Sequence, residues 1–290
     1  LVSSWENKMR RILIYDMNNW LRVKMAESMG GASLFTLWQE ILAGANQKDL
    51  IFCIFDGVNS RKKRKAIYPA YKAKRKPADQ SIYDGMKFFK ELLKYAPINV
   101  KTVEVPEYEA DDVIATITVK MASNDDKMDI VSTDRDLTQL RISPNIGTLK
   151  EPAVEPKWVK TYKMLVGDPS DNIPGVKGFG EAAWNKLSDY AKDFLTVFFY
   201  LEYGKEEDLV LFSDLLQSMR GSLENLLAEE LSEVLANKIA DSYHSGELQT
   251  WYNLVSFIPV PVKDIQEHFF AGNGQIDVAQ EKLGTFSLTI

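Results

Sequence analysis

Nine carboxylates stand where short apolar runs end, where a helix-like stretch begins or in a Gly/Pro turn, and that placement is the chemical signal of this sequence. Asp16 follows RILIY (11–15), Asp56 follows LIFCIF (50–55), and Asp134 and Asp136 follow MDIVST (128–133). In PEYEADDVIATITVKMA, Glu109, Asp111 and Asp112 open a helical stretch, where negative charge suits the helix dipole and where Glu109 and Asp112 share a face at i,i+3. VGDPSDNIPGV adds Asp168 and Asp171 in a Gly/Pro turn. Any one of these acids alone reads as an ordinary turn or helix cap. If all converge, repulsion raises their pKa values or disrupts the site unless hard divalent cations occupy it. Softer ligands are scarce: the only cysteine, Cys53, lies inside an apolar run, and the two histidines, His244 and His268, are isolated. Thiolate zinc clusters and intrachain disulfides are thereby excluded, and a Ser-His-Asp site is disfavoured. An all-oxygen set favours Mg²⁺ or Mn²⁺. Two such ions roughly 3.5–4 Å apart can bind the attacking water and the leaving oxygen of a phosphodiester.

The cations are equally uneven. The formal charge is −6, from 35 Lys and Arg against 41 Asp and Glu, which alone argues against a nucleic-acid partner. Yet SRKKRKAIYPAYKAKRKPA (60–78) holds Arg61, Lys62, Lys63, Arg64, Lys65, Lys72, Lys74, Arg75 and Lys76 with no acid, leaving 26 bases against 41 acids elsewhere. A solvated basic loop is the plain reading of such a run. Tyr68, Pro69 and Tyr71 interleave with the bases and offer faces for stacking, which shifts the reading toward nucleic acid. A third element, GVKGFG (175–180), carries Gly175, Lys177, Gly178 and Gly180 into a helix. Such turns offer backbone N–H groups to phosphates and carbonyls to a monovalent ion. It is not a P-loop, since GxxxxGK[ST] is absent.

These groups need a scaffold that brings them together. The four apolar runs, with INVKTVEV (98–105) as the third, alternate with helical stretches at 33–45, 82–95 and 109–122. That alternation predicts an α/β fold, a mostly parallel central sheet flanked by helices, which presents ligands at the carboxyl ends of its strands. Tyr83, Met86, Phe89, Leu92 and Leu93 form a core-facing stripe. Beyond about residue 150 the chain reads as turn-rich to Gly180, then helical at 181–200, 206–219 and 223–243, with the acidic tract 205–232 as solvated faces. The 290 residues, 45% hydrophobic and 26% charged, describe a globular protein. No apolar run approaches the roughly 18–20 residues of a membrane span, and LVSSWENKMRR has no signal-like core, so a cytoplasmic protein without membrane partners is expected.

Taken in order, LIYDMNNWLR, IFDG, PAYKAKR, YEADDVIA, STDRDLTQL and GDPSDNIPGVKGFG resemble the motifs of the structure-specific 5′-nucleases, or flap endonucleases, most of all the bacteriophage branch, over roughly 11–190. The resemblance implies a PIN-like nuclease core at 10–160 with a basic arch at about 60–97. It also implies a helix–three-turn–helix element and helical C-terminal part at 161–290, packed with the core as one unit. It implies a Mg²⁺-dependent 5′→3′ exonuclease and flap endonuclease that clamps a 5′ end and cuts near the junction of single strand and duplex, removing RNA primers (ribonuclease H activity) and DNA flaps. By position, Asp16, Asp56, Glu109 and Asp111 would hold a first metal ion, and Asp134, Asp136, Asp168 and Asp171 a second, with Asp112 nearby. Lys72 and Arg75 match the arch pair that contacts the scissile phosphate, Tyr71 would stack on a terminal base, and Arg22 matches an arginine of the first helix. GVKGFG would grip the duplex backbone and hold K⁺. Met17 departs from the usual glycine of the first motif, while Asn19 keeps its amide. The implied partners are DNA and RNA/DNA duplexes with 5′ ends or flaps, met by a monomer. A single-strand-binding protein or a sliding clamp is a further candidate; the tail LGTFSLTI (283–290) would be the clamp peptide, and it reads more simply as a terminal strand or disordered end. Two rivals remain. A PIN-type ribonuclease explains the acids but not the basic strip plus GVKGFG, and a non-catalytic DNA-junction-binding protein would be marked by missing acids.

Overall fold

RILIYD forms β1 (Arg11–Asp16), buried from Ile12 onward on both sides, as a central strand must be. In this computed structural model, which describes residues 11–27, 31–47, 49–121, 125–204 and 212–287, β1 pairs in parallel with β2 (Leu50–Phe55) and with β4 (Lys127–Val131). β3 (Val100–Glu104) and β5 (Ile146–Thr148) extend the parallel set, and β6 (Phe269–Ala271) closes one edge antiparallel to β3. The order is β5-β4-β1-β2-β3-β6, so the predicted mostly parallel sheet is present. The helices, in chain order, are α1 (Met17–Glu27), α2 (Gly31–Asn46), α3 (Lys62–Ile67), α4 (Gln80–Leu92), α5 (Ala110–Thr116), α6 (Val159–Val166) and α7 (Glu181–Trp184), then α8 (Asp189–Tyr203), α9 (Ser213–Glu230), α10 (Glu233–His244), α11 (Glu247–Val255), α12 (Val262–Glu267) and α13 (Ile276–Ser287).

The chain divides into two units. The first comprises residues 1–61, 77–151 and 258–290 and contains the whole sheet; the second comprises 62–76 and 152–257. The boundaries differ from the expected 10–160 and 161–290, because the basic segment 62–76 groups with the helical unit and residues 258–290 return to the sheet unit through β6 and α13.

In the first unit, Trp38 and Ile41 of α2 and Phe89 and Leu92 of α4 are fully or almost fully buried, and the Trp38 and Phe89 rings meet edge to face at 6.5 Å. Burying a side chain such as Phe89 contributes roughly 2–3 kcal/mol. The predicted stripe on α4 holds for Met86, Phe89 and Leu92, with Leu93 buried just beyond, while Tyr83 is exposed. Met17 begins α1 and is wholly buried; it serves as core directly after Asp16. In the second unit Trp184 lies among Trp158, Tyr162, Phe179 and Leu187, with Tyr162 packed edge to face at 5.3 Å.

Several boundaries differ from the sequence reading. The stretch 181–200 is two helices, because Ser188 caps α8 by accepting a hydrogen bond from the Ala191 amide at 3.1 Å. The helices expected at 206–219 and 223–243 stand at 213–230 and 233–244, with Ser232 as the new N-cap, and residues 205–211 lie outside the described residues. Among the described residues no helix is long and apolar enough to cross a membrane.

Candidate active site

The carboxyl ends of β1, β2 and β4 deliver Asp16, Asp56 and Asp134 to one edge of the sheet. Asp16 is 4% exposed; its Oδ1 accepts from the Asn19 amide at 3.1 Å, as an N-cap of α1 does, and its Oδ2 accepts from the Ser132 hydroxyl at 2.9 Å. The same hydroxyl accepts from the Asp134 amide at 3.0 Å, and Asp134 Oδ1 accepts from the Asp136 amide at 2.9 Å. Asn19 Oδ1 accepts from the amide and hydroxyl of Thr133, at 2.8 and 3.0 Å, locking the end of β4 to the start of α1. Asn18 Oδ1 accepts from the Asp56 amide at 3.0 Å, which fixes the third strand end.

Glu109 and Asp111 join this edge through the backbone. Asp56 Oδ1 accepts from the Ala110 amide at 2.8 Å at the first turn of α5. The Gly57 amide donates to Tyr108 O at 3.0 Å, and the Glu107 amide donates to Val58 O at 2.8 Å. Gly57 is required for that approach, since a Cβ there would lie 1.8 Å from Val105 O. Glu109 is buried at the N-cap of α5, and Asp111 is partly buried one residue into the helix.

Electrostatics mark the same place. Burial, followed by the charge on Asp56, raises the Asp16 carboxyl to about 7; Asp134 pushes the same way, and the hydrogen bonds from Asn19 and Ser132 oppose it. A bound divalent cation would offset the repulsion that keeps this carboxyl from ionising among other acids. The donors are all oxygens, with no histidine or thiol among the candidate ligands, so the set fits a hard divalent cation.

Asp168 and Asp171 stand in the second unit, in a turn closed by hydrogen bonds between Asp168 and Ile173 in both directions, at 2.8 and 2.9 Å. Gly167 and Gly175 have φ of +92° and +68°, and a Cβ on Gly175 would lie 2.4 Å from Gly167 N, so the tight crossing needs glycine. Asp168 Oδ1 accepts from the amide and hydroxyl of Ser170, and Oδ2 accepts from Lys163 Nζ at 2.6 Å. Burial raises its pKa, but the Lys163 cation and the Ser170 donors outweigh that and hold it below the usual carboxylate range. Asp171 Oδ1 accepts from Arg75 Nη2 at 2.7 Å; its Oδ2 accepts from the Tyr71 hydroxyl at 3.2 Å and lies 3.7 Å from Lys72 Nζ.

Three expectations need correction. Asp112, taken as a metal-site acid, is fully buried with both oxygens engaged: Oδ1 accepts from the Ile258 amide at 2.8 Å and Oδ2 from the Glu109 amide at 3.2 Å. It caps α5 and ties down the 258–260 segment, as Thr116 does by accepting from the Val260 amide. Arg64, taken as a nucleic-acid contact, is 4% exposed and donates to Leu254 O and Ser256 O at 3.2 and 3.0 Å. Burial on the inner side of α3 separates it from its exposed neighbours Lys62 and Lys65. Tyr71, taken as a base-stacking ring, is 2% exposed within the core of the second unit, and its hydroxyl is bound to Asp171.

The other strip residues are more open. Lys74, Arg75 and Lys76 are exposed, Arg61 and Lys63 partly so, and Lys177, Gly178 and Gly180 lie on an exposed turn with Gly175 buried beneath it. Arg22 is partly buried on α1. Asn18, Ser132 and Lys163 were not picked out from sequence. The hydroxyl and amide immediately beside the strand-end acids were the available signal for the first two; for Lys163 there was none.

A mostly parallel sheet flanked by helices, with acids gathered at its carboxyl edge, defines the class as an α/β protein. Residues 22–164 match the family described as "5′-3′ exonuclease, N-terminal resolvase-like domain". The flap endonuclease Xni of Shewanella piezotolerans is 31% identical over 215 residues, covering 67% of this chain and 82% of that protein, and the chain belongs to this 5′-nuclease family. A 5′-3′ exonuclease of Aquifex aeolicus is 37% identical over 152 residues, with 47% of this chain and 51% of that protein covered. The thermostable DNA polymerase I of Thermus thermophilus is 36% identical over 150 residues, where this chain spans only 18% of the polymerase. Among solved structures, the phage T5 5′-exonuclease with bound zinc shares the fold at a TM-score of 0.57 and 19% identity, covering 96% of this chain and all of that one. The Holliday junction-resolving enzyme GEN1, solved with product DNA and Mg²⁺, does so at 0.52 and 13%, covering 97% and 66%.

Proposed function

We propose that this protein is a divalent-metal-dependent 5′→3′ exonuclease and flap endonuclease that hydrolyses phosphodiesters near 5′ ends and single-strand/duplex junctions. What carries the reading is the strand-end group of Asp16, Asp56 and Asp134, with Asp16 held near neutrality by burial and its acidic neighbours. Mg²⁺ is the preferred ion, with Mn²⁺ able to substitute. Asp16, Asp56, Glu109 and Asp111 would hold an ion; Asp134 and Asp136 in the first unit, and Asp168 and Asp171 in the second, are the remaining candidate ligands. Bound ions would neutralise the acids and polarise both the attacking water and the scissile phosphate.

The chain's own groups do the rest. Ser132, Asn18 and Asn19 hold the strand ends in register, which would lower the cost of arranging the carboxylates around an ion. Lys72 and Arg75 would take the negative charge developing on the phosphate. Arg61, Lys62, Lys63, Lys65, Lys74 and Lys76 would follow the strand backbone, and Arg22 is a further candidate contact. The amides from Gly175 to Gly180, with Lys177, would bind a duplex backbone, and the turn's carbonyls would suit K⁺. Removal of RNA primers and DNA flaps by a cytoplasmic monomer is the setting this chemistry suits. A single-strand-binding protein or sliding clamp stays a candidate partner; the terminal residues 288–290 of the proposed clamp peptide lie outside the described residues, and 276–287 are helical.

The test is a set of 5′- and 3′-labelled duplex, nicked, flapped and RNA-primed substrates with Mg²⁺, with product lengths resolved. Cuts at or near the flap junction and at 5′ ends support the proposal. Preference for unstructured RNA transfers the reading to a PIN-type ribonuclease, and tight junction binding without turnover transfers it to a non-catalytic protein.

A further inference from the structure

Asp171 is crowded with cations of its own unit. Arg75 Nη2 lies 2.7 Å from Oδ1, Lys72 Nζ 3.7 Å from Oδ2, and the Tyr71 hydroxyl donates to Oδ2 at 3.2 Å. The backbone reinforces this: the Lys72 amide donates to Asp171 O at 2.9 Å, Arg75 Nε to Ser170 O at 3.3 Å, and Asn172 Nδ2 to Ala70 O at 2.8 Å. Lys72 is also held at φ +54°, in the left-handed region that a lysine seldom adopts, and its side chain is only 7% exposed over the Tyr71 ring. The same two cations cannot be fully paired with Asp171 and fully available to a phosphate.

We propose that Asp171 is a latch on Lys72 and Arg75, closed in the protein alone and opened when a divalent cation binds its carboxylate. A 2+ ion on the oxygens that now face Arg75 and Lys72 repels both side chains at a few ångströms, where partial burial leaves that repulsion poorly screened. The carboxylate then turns its charge to the ion, and the two cations are released toward a phosphate. By linkage, a phosphate that captures Lys72 and Arg75 frees Asp171 for the ion, so the two ligands favour one another. Asp171 is in this respect a positioning residue. The inference rests on the reading of Asp171 as a ligand given above, but its test needs no substrate.

Lys72 is buried and Lys74, two residues on, is exposed, so a lysine-specific protease reads the latch with an internal control. Cleavage after Lys72 relative to Lys74 is followed by mass spectrometry on the full chain in chelator and across a Mn²⁺ titration, with ion occupancy read by electron paramagnetic resonance. The expected result is a ratio that rises about tenfold with occupancy, within the usual range of coupling between sites. Asp171→Asn should show the raised ratio already in chelator, with no further rise on adding Mn²⁺. Should Asp171→Asn not fold, the Mn²⁺ titration of the unaltered chain decides alone, since it needs no variant. A ratio unchanged at full Mn²⁺ occupancy, or unchanged in folded Asp171→Asn, overturns the latch. Exposure of Lys72 on ion binding in a protein that cuts no flap would sustain the latch and refute the nuclease reading.

Discussion

Asp16 shows how one residue links folding to chemistry. Its carboxyl keeps its proton to about pH 7 in the fold, whereas in the unfolded chain it ionises near the ordinary value of 3.8. Between those values the folded state binds more protons, so the metal-free protein loses stability as pH rises from about 4 to 7, and the penalty is constant above that. Asp16→Asn should therefore raise the thermal midpoint in chelator by several degrees at pH 8 and by less at pH 5, while reducing cleavage at least a hundredfold. Calorimetry in chelator and a flap assay in Mg²⁺ check the two halves. Arg64 makes the opposite point about the basic strip. Arg64→Ala leaves Leu254 O and Ser256 O without their donor and should destabilise the chain by about 2–4 kcal/mol in urea unfolding. Lys65→Ala, on an exposed side of the same helix, should stay within about 0.5 kcal/mol. That contrast was not legible in RKKRK, because which base turns inward is decided by α11, nearly 190 residues away. Tyr71 was misread for the same reason, since its partner Asp171 comes 100 residues later. The strand-end acids were legible because uninterrupted apolar runs mark buried parallel strands, and the residue that follows each run must lie at the sheet edge.

At the scale of elements, the central strands and α2 and α4 follow from periodicity, whereas β5 (IGT) and β6 (FFA) are three residues each and too short to leave a pattern. α1 is implied by the resemblance but not legible in periodicity, because MNNWLRVKMAE mixes core and polar positions without a clean stripe, yet it supplies the amides that bind the strand ends together. The Gly-rich turn can be dissected by its own glycines. Gly175→Ala puts a Cβ against Gly167 N at positive φ and should cost about 2 kcal/mol or more, read by chemical unfolding. Gly180→Ala meets open space at a φ of −109° and should leave stability within about 0.5 kcal/mol.

Across the whole molecule, the overall charge of −6 conceals an acidic remainder and a basic segment, which the proposed function assigns to cations and to a polyanion respectively. Binding of a flapped duplex should weaken steeply with salt. Replacing both Lys74 and Lys76 by Ala should lower the log–log salt slope by about 1 for each phosphate no longer neutralised, while the protein stays folded. Nine acids at predicted positions argue against a chain that has kept the fold and lost the chemistry; eight remain candidate ligands, while Asp112 is committed to structure. The decisive experiment is cleavage of a 5′-labelled flapped duplex by the intact chain with Mg²⁺ and with excess chelator. Cutting close to the junction that requires Mg²⁺ and stops in chelator is the predicted result; undiminished cutting in chelator, or an intact substrate at saturating Mg²⁺, would contradict it.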